Sequence, residues 1–126
     1  MHQNIGSSFG FGNDNYIGST TQPNQWTEDG FSFFAEQRLS HQVGLARRRG
    51  LLSQADEGQV HRLINRLDTL IPPQPPSLIH GDLWSGNVIS DDEGQPAVID
   101  PAVHYGWAEA ELGMTTLFGG FPEIFY

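Results

Sequence analysis

Five residues near the middle of the chain, Pro72-Pro73-Gln74-Pro75-Pro76, set the outline of any fold this sequence can adopt. Proline has no backbone donor and its ring clashes with the preceding helical turn, so a helix arriving at residue 72 must stop there. The chain of 126 residues is thereby split into a part with helical periodicity and a part made of short apolar runs. At this length a single domain with one modest core is expected.

Ahead of the prolines, residues 1–27 are rich in Gly, Ser, Thr and Asn and show no clear period, which predicts a loop-rich opening segment. From Trp26 to Gly50 the pattern becomes helical. Thr27 can cap, Glu28 and Asp29 suit a first turn, and Phe31, Phe34, Leu39, Val43 and Ala46 fall near one stripe. Arg47, Arg48 and Arg49 then meet Gly50, the order expected where helix carbonyls face cations and a left-handed residue closes the end. The stretch predicts a helix of roughly five to six turns. Ser53 and Asp56 have the spacing of a capping box, and Val60, Leu63, Ile64, Leu67 and Leu70 repeat at three and four. Residues 28–71 are thus expected to form two helices.

Behind the prolines come the runs SLIH, NVIS and AVID. The last two flank DDEGQP, whose Asp, Gly and Pro content predicts a hairpin. Residues 101–107 read as a loop, and AEAELGMTTLF as a helix closed by Gly119, Gly120 and Pro122. The final EIFY is apolar and aromatic, an ending expected of a truncated chain.

The net charge of −9 is unevenly placed. All six basic residues are Arg and lie at or before Arg66, whereas the nine acids beyond it meet no Lys or Arg. That half would repel a nucleic-acid backbone, and a polyphosphate could approach it only with a cation between. Without Cys, disulfides and thiolate metal sites are excluded and a reducing compartment, the cytoplasm, is expected. No apolar run nears the ~20 residues of a membrane span, and MHQNIGSSFG lacks the basic start and apolar middle of an export signal.

The stretch SLIHGDLWSGNVISDDEGQPAVID, residues 77–100, holds the candidate chemistry. Asp82 ends the first short run in a loop, where a carboxylate can accept a hydroxyl proton. Asn87 offers an amide oxygen to a hard cation, and Asp100, at the far end of the hairpin, can return beside it. Mg²⁺ is bound by few carboxylates plus phosphate oxygens, so this set suits phosphoryl transfer. Asp and Asn are also common turn residues at strand ends, which is the plain alternative. His80 suits bracing better than proton transfer. His104 and Tyr105 can face the cleft or serve an ordinary loop, and Asp91, Asp92 and Glu93 suit a solvated turn.

The offsets of His80, Gly81, Asp82 and Asn87 are similar to the protein-kinase catalytic loop H-R-D-x-x-x-x-N, with Gly in place of Arg. HGDLWSGN, AVIDPAVHYG and MTTLFGGF, with DNYIGSTTQPNQWTEDG ahead of the first helix, resemble the fructosamine (ketosamine) 3-kinases. These are a branch of the aminoglycoside-phosphotransferase and protein-kinase-like fold, and the resemblance spans about residues 9–126. It implies an α+β fragment of the large lobe, mainly helical, with a short hairpin carrying the site. It further implies transfer of the γ-phosphoryl group of ATP, with Mg²⁺, to a sugar hydroxyl of a glycated amine. Asp82 would be the catalytic base, Asn87 and Asp100 the metal ligands, His80 a brace, and Gly81, Trp84 and His104 supporting or acceptor-side residues.

Three departures qualify the resemblance. The chain is expected to start after the small β-rich lobe that precedes this segment in the family, and with no Lys among its 126 residues it carries no nucleotide-clamping lysine. Gly30 stands where a large residue is usual, predicting a packing hole, and Trp107 where a polar one is usual, predicting an altered cleft rim. The isolated chain is therefore expected to lack useful activity and to self-associate. An aminoglycoside or other small-molecule phosphotransferase and a non-catalytic remnant or binding module are the alternatives.

Overall fold

A computed structural model describes residues 1–126. The first helix, α1, runs without a break over residues 30–48: α-helical over Gly30–Phe33, π-helical over Phe34–Ser40, and α-helical again over His41–Arg48. Its N-cap is Asp29, not Thr27. The Asp29 carboxylate accepts from the Phe31 and Ser32 amides at 3.3 and 2.9 Å and from the Ser32 hydroxyl at 2.6 Å, and these bonds, the hydroxyl first, hold its pKa below the usual range. Thr27 instead pairs its backbone with Phe9. The C-terminal expectation holds: Arg49 is the C-cap, and Gly50 follows with φ of +70°.

Helix α2 (Gln54–Ile64) opens on the predicted box, Ser53 Oγ accepting from the Asp56 amide and Asp56 Oδ2 from the Ser53 amide. It stops at Asn65, and a separate turn, α3 (Leu67–Leu70), follows. The break falls at Asn65 and Arg66, and Leu67 just beyond it is buried. Arg47 joins the two long helices, donating to the Leu52 carbonyl at 2.7 Å and pairing with Glu57 at 3.1 Å.

The strands are all three residues long and form three two-stranded antiparallel sheets. β1 (Asn15–Ile17) pairs with β2 (Thr20–Gln22), so the opening segment is not all loop. β3 (Ser77–Ile79) pairs with β6 (His104–Gly106), Ser77 opposite Gly106 and Ile79 opposite His104. Residues 104–106 are therefore strand, contrary to expectation; a run this short shows no alternation, and its partner is distant in sequence. β4 (Val88–Ser90) and β5 (Pro96–Val98) form the predicted hairpin, whose turn Asp91 organises by accepting the Glu93 and Gln95 amides. Helix α4 (Ala108–Thr115) completes the α+β fold. No helix is long and apolar enough to cross a membrane.

The opening residues lace these pieces together. Gly6 donates to the Pro76 carbonyl, Leu78 to the Asn4 carbonyl, and Gly10 and Tyr105 exchange a pair of bonds. Phe9 is thereby pressed onto Phe33 and Trp107, the centre of the core, with Phe31, Phe34 and Ile71 around it. Gly30 leaves no hole, because a Cβ there would lie 2.6 Å from Phe9 Cζ and 2.7 Å from Trp107 Nε1. Trp107 is buried rather than at a cleft rim; its indole occupies the space a large residue at position 30 would take. The two positions expected to depart from the family pattern are thus packed against one another.

Candidate active site

The loop between β3 and β4 is held by its own polar groups. His80 is buried, donates from Nε2 to the Ile99 carbonyl at 2.9 Å, and accepts the Asp82 amide at Nδ1, 3.3 Å away. These two bonds define the tautomer, with the proton on Nε2. Gly81 sits at φ of +82°, and a Cβ there would lie 2.2 Å from the Ala102 carbonyl oxygen, so no other residue fits without moving the loop. His80 thus hydrogen-bonds to both the Ile99 carbonyl and the Asp82 amide, the contacts a brace would need.

Asp82 is partly exposed, and Asn87 is buried directly behind it. Asn87 Nδ2 donates to the Asp82 carbonyl at 2.9 Å and to Asp82 Oδ2 at 3.1 Å. One carboxylate oxygen of Asp82 and the Asn87 amide oxygen stay clear of protein donors. The 3₁₀ turn Ser85–Asn87 brings the two residues together, closed by the Asn87 amide donating to the Trp84 carbonyl at 2.9 Å.

Asp100 is reached through Ile99, which is clamped from both sides: its amide donates to the Asn87 carbonyl at 3.0 Å and its carbonyl receives His80 Nε2. Asp100 itself adopts φ of +52°, a left-handed conformation that Asp tolerates better than most residues, and its side chain lies at the surface. Neither Asp82 nor Asp100 forms an ion pair. Asn87 and Asp82 are brought into contact, and together with the Asp100 carboxylate they would offer hard-oxygen donors of the kind that suits Mg²⁺. No group of three His, Cys, Asp or Glu side chains gathers anywhere in the chain, this loop included.

Trp84 lays its indole over Gly86 and meets Phe118 edge-on at 5.3 Å, so it shapes the outer wall of the loop. His104 lies behind the loop, its Nδ1 donating to the Ala102 carbonyl at 3.0 Å and its ring packed against Phe33. Burial, with Arg38 nearby, pushes its pKa down to about 4, so it is neutral near pH 7. It lines an apolar cavity of about 700 Å³ between α1, α2 and α4 that includes none of Asp82, Asn87 and Asp100. Arg38, on the π-helical turn, faces the same cavity and donates to the Pro23 carbonyl at 2.6 Å and to Asn24 Oδ1 at 2.7 Å; burial lowers its pKa to about 10.

One residue of the site escaped the sequence reading. Glu111 on α4 accepts the Gly81 amide at 2.7 Å. Nothing in AEAELG separates it from Glu109 except helical phase: Trp107, Glu111 and Thr115 recur every four residues, and all three are buried.

The family model described as fructosamine kinase matches residues 1–126. The chain belongs to the fructosamine kinase family. It is 49% identical to an inferred ketoamine kinase of Synechocystis sp. over 128 residues, covering all of this chain and 42% of that protein. A chloroplastic protein-ribulosamine 3-kinase of rice is 44% identical over 131 residues, again covering all of this chain but 37% of the relative. Among solved structures, an inferred fructosamine-3-kinase of Thermobifida fusca superposes with a TM-score of 0.87 at 41% identity, over 95% of this chain and 42% of that one. The chain thus spans about two fifths of the length of the fructosamine-kinase relatives it matches. These are phosphotransferases by name, and the family recognised from HGDLWSGN and its companions is the family found.

Proposed function

We propose that residues 77–100 are the catalytic loop and metal-binding hairpin of a ketosamine 3-kinase, carried on part of a protein-kinase-like large lobe. The observation that supports this most is the Asn87 amide nitrogen donating to Asp82 at 3.1 Å, which leaves one free oxygen on each side chain. Asp82 then aligns an acceptor hydroxyl and takes its proton as the sugar oxygen bonds to the γ-phosphorus of ATP. The bond from that phosphorus to the β–γ bridging oxygen breaks, and ADP leaves. Asn87 Oδ1 and the Asp100 carboxylate would hold Mg²⁺. When bound, the ion neutralises phosphate charge against the half of the chain that has nine acids and no Lys or Arg.

The acceptor class follows from the relatives' names: a ketosamine, either fructosamine or ribulosamine. The 126-residue chain has no lysine to position the phosphates. Because phosphoryl transfer depends on positioning and charge neutralisation, the chain alone should fall several orders of magnitude short of useful turnover. The test is Mg²⁺- and ATP-dependent phosphorylation of fructosyl-lysine and ribulosyl-lysine, by this chain and by the chain extended with its adjoining coding sequence. Activity confined to the extended form is the expected result. Activity in neither would favour a non-catalytic protein, and equal activity in both would remove the argument from the missing lysine.

A further inference from the structure

We infer that Glu111 is a positioning residue for the catalytic loop and that His2 holds it in place, so that a His2–Glu111–Gly81 chain ties the opening residues to the peptide preceding Asp82. Glu111 is 3% exposed and is the only acid among the buried residues. Its two oxygens are divided between two partners: Oε1 accepts the Gly81 amide at 2.7 Å, and Oε2 meets His2 Nε2 at 2.6 Å. A carboxyl group in such a place needs a hydrogen-bond partner for each oxygen, and these two groups supply them. The first turns of α4 add a favourable field for the charge.

The bond to Gly81 acts at a point where the loop has no slack. On one face Gly81 abuts the Ala102 carbonyl, and on the next residue His80 Nδ1 takes the Asp82 amide. Glu111 supplies the third restraint, so the backbone that carries Asp82 is held by a helix, a histidine and the loop that precedes β6. His2, whose side chain is 36% exposed, is the outer end of this chain and closes it from the segment that also pairs with β3. The link to catalysis rests on the role proposed for Asp82; the restraint itself does not.

The test is amide hydrogen exchange, read residue by residue, in the 126-residue chain and its E111A, E111Q and H2A variants. E111A should speed exchange at Gly81 and Asp82 by about 10- to 100-fold relative to the β3–β6 amides, the range expected for losing a hydrogen bond to a charged acceptor. E111Q keeps an acceptor and should restore both to within about fivefold. H2A should give a smaller rise, about three- to tenfold, at the same two amides. In the extended, active form E111A should lower kcat at least about tenfold with KM for ATP within twofold, because Glu111 acts through the loop and not on the nucleotide. Unchanged exchange at Gly81, or a rise shared equally by β3 and β6, would overturn the proposal. Should E111A not fold, H2A decides by the same criterion. If neither form phosphorylates a ketosamine, the kinase reading falls while the exchange data still decide the restraint.

Discussion

The two sides of α4 are built on different principles. Toward the loop, order comes from hydrogen bonds: His80, Asn87 and Glu111 are buried and each is matched to a named partner. Toward α1, order comes from aromatic contact among Phe9, Phe33 and Trp107, beside an apolar cavity of about 700 Å³. Buried polar or charged residues number eight against seven hydrophobic ones, so burial of apolar surface alone does not explain where the site residues sit. The comparison teaches that the geometry around Asp82 is local and specific, whereas the stability beneath it is collective.

The sharpest break of that division is at Asp82. In the extended protein, D82N should reduce phosphoryl transfer by about 10²- to 10⁴-fold while leaving the melting temperature nearly unchanged, because Asn can still accept from Asn87. Steady-state kinetics beside a thermal melt check both halves; a large drop in stability would mean that Asp82 also serves the fold. On the aromatic side, W107A should cost about 3–5 kcal/mol in urea unfolding, since the indole meets Phe9, Phe31 and Phe34.

His104 lies between the two regions and gives a pH test. Folded, it titrates near 4; unfolded, near 6.5, so below that value the unfolded chain takes up a proton that the folded chain refuses. Its contribution is fully present above pH 6.5 and is lost as pH falls toward 4, about 3 kcal/mol in all. Urea midpoints at pH 7.5 and 4.5 should show this fall in the parent chain and a shallower one in H104Q; parallel slopes would count against it. The smallest effect belongs to S53A, which removes the α2 cap far from both regions and should cost about 1 kcal/mol without altering exchange at Gly81.

How much of this was legible depends on how far apart the interacting residues are. The Ser53–Asp56 box, the arginine-rich end before Gly50 and the Asp91–Gln95 turn are contacts within a few residues, and their spacing shows them directly. The approach of Asn87 to Asp82 is five residues long and was read through the motif. The cap at Asp29 in place of Thr27 turned on competition between neighbours, which spacing cannot rank. The pairing of β3 with β6 and the packing of Trp107 against Gly30 depend on partners far along the chain, so nothing near either residue announces them.

The sequence by itself determined the family, the main helices and the hairpin, and it nominated Asp82, Asn87 and Asp100 for the chemistry proposed above. Those follow from periodicity, capping and ordered motifs, which are properties of neighbours. Only the tertiary structure decided that Glu111 rather than Glu109 is buried, that it takes up the Gly81 amide and His2 together, and that Trp107 fills the space over Gly30. The reason is physical: a buried carboxylate or indole is placed by whatever surrounds it in space, and those surroundings come from residues as far apart as 2 and 111.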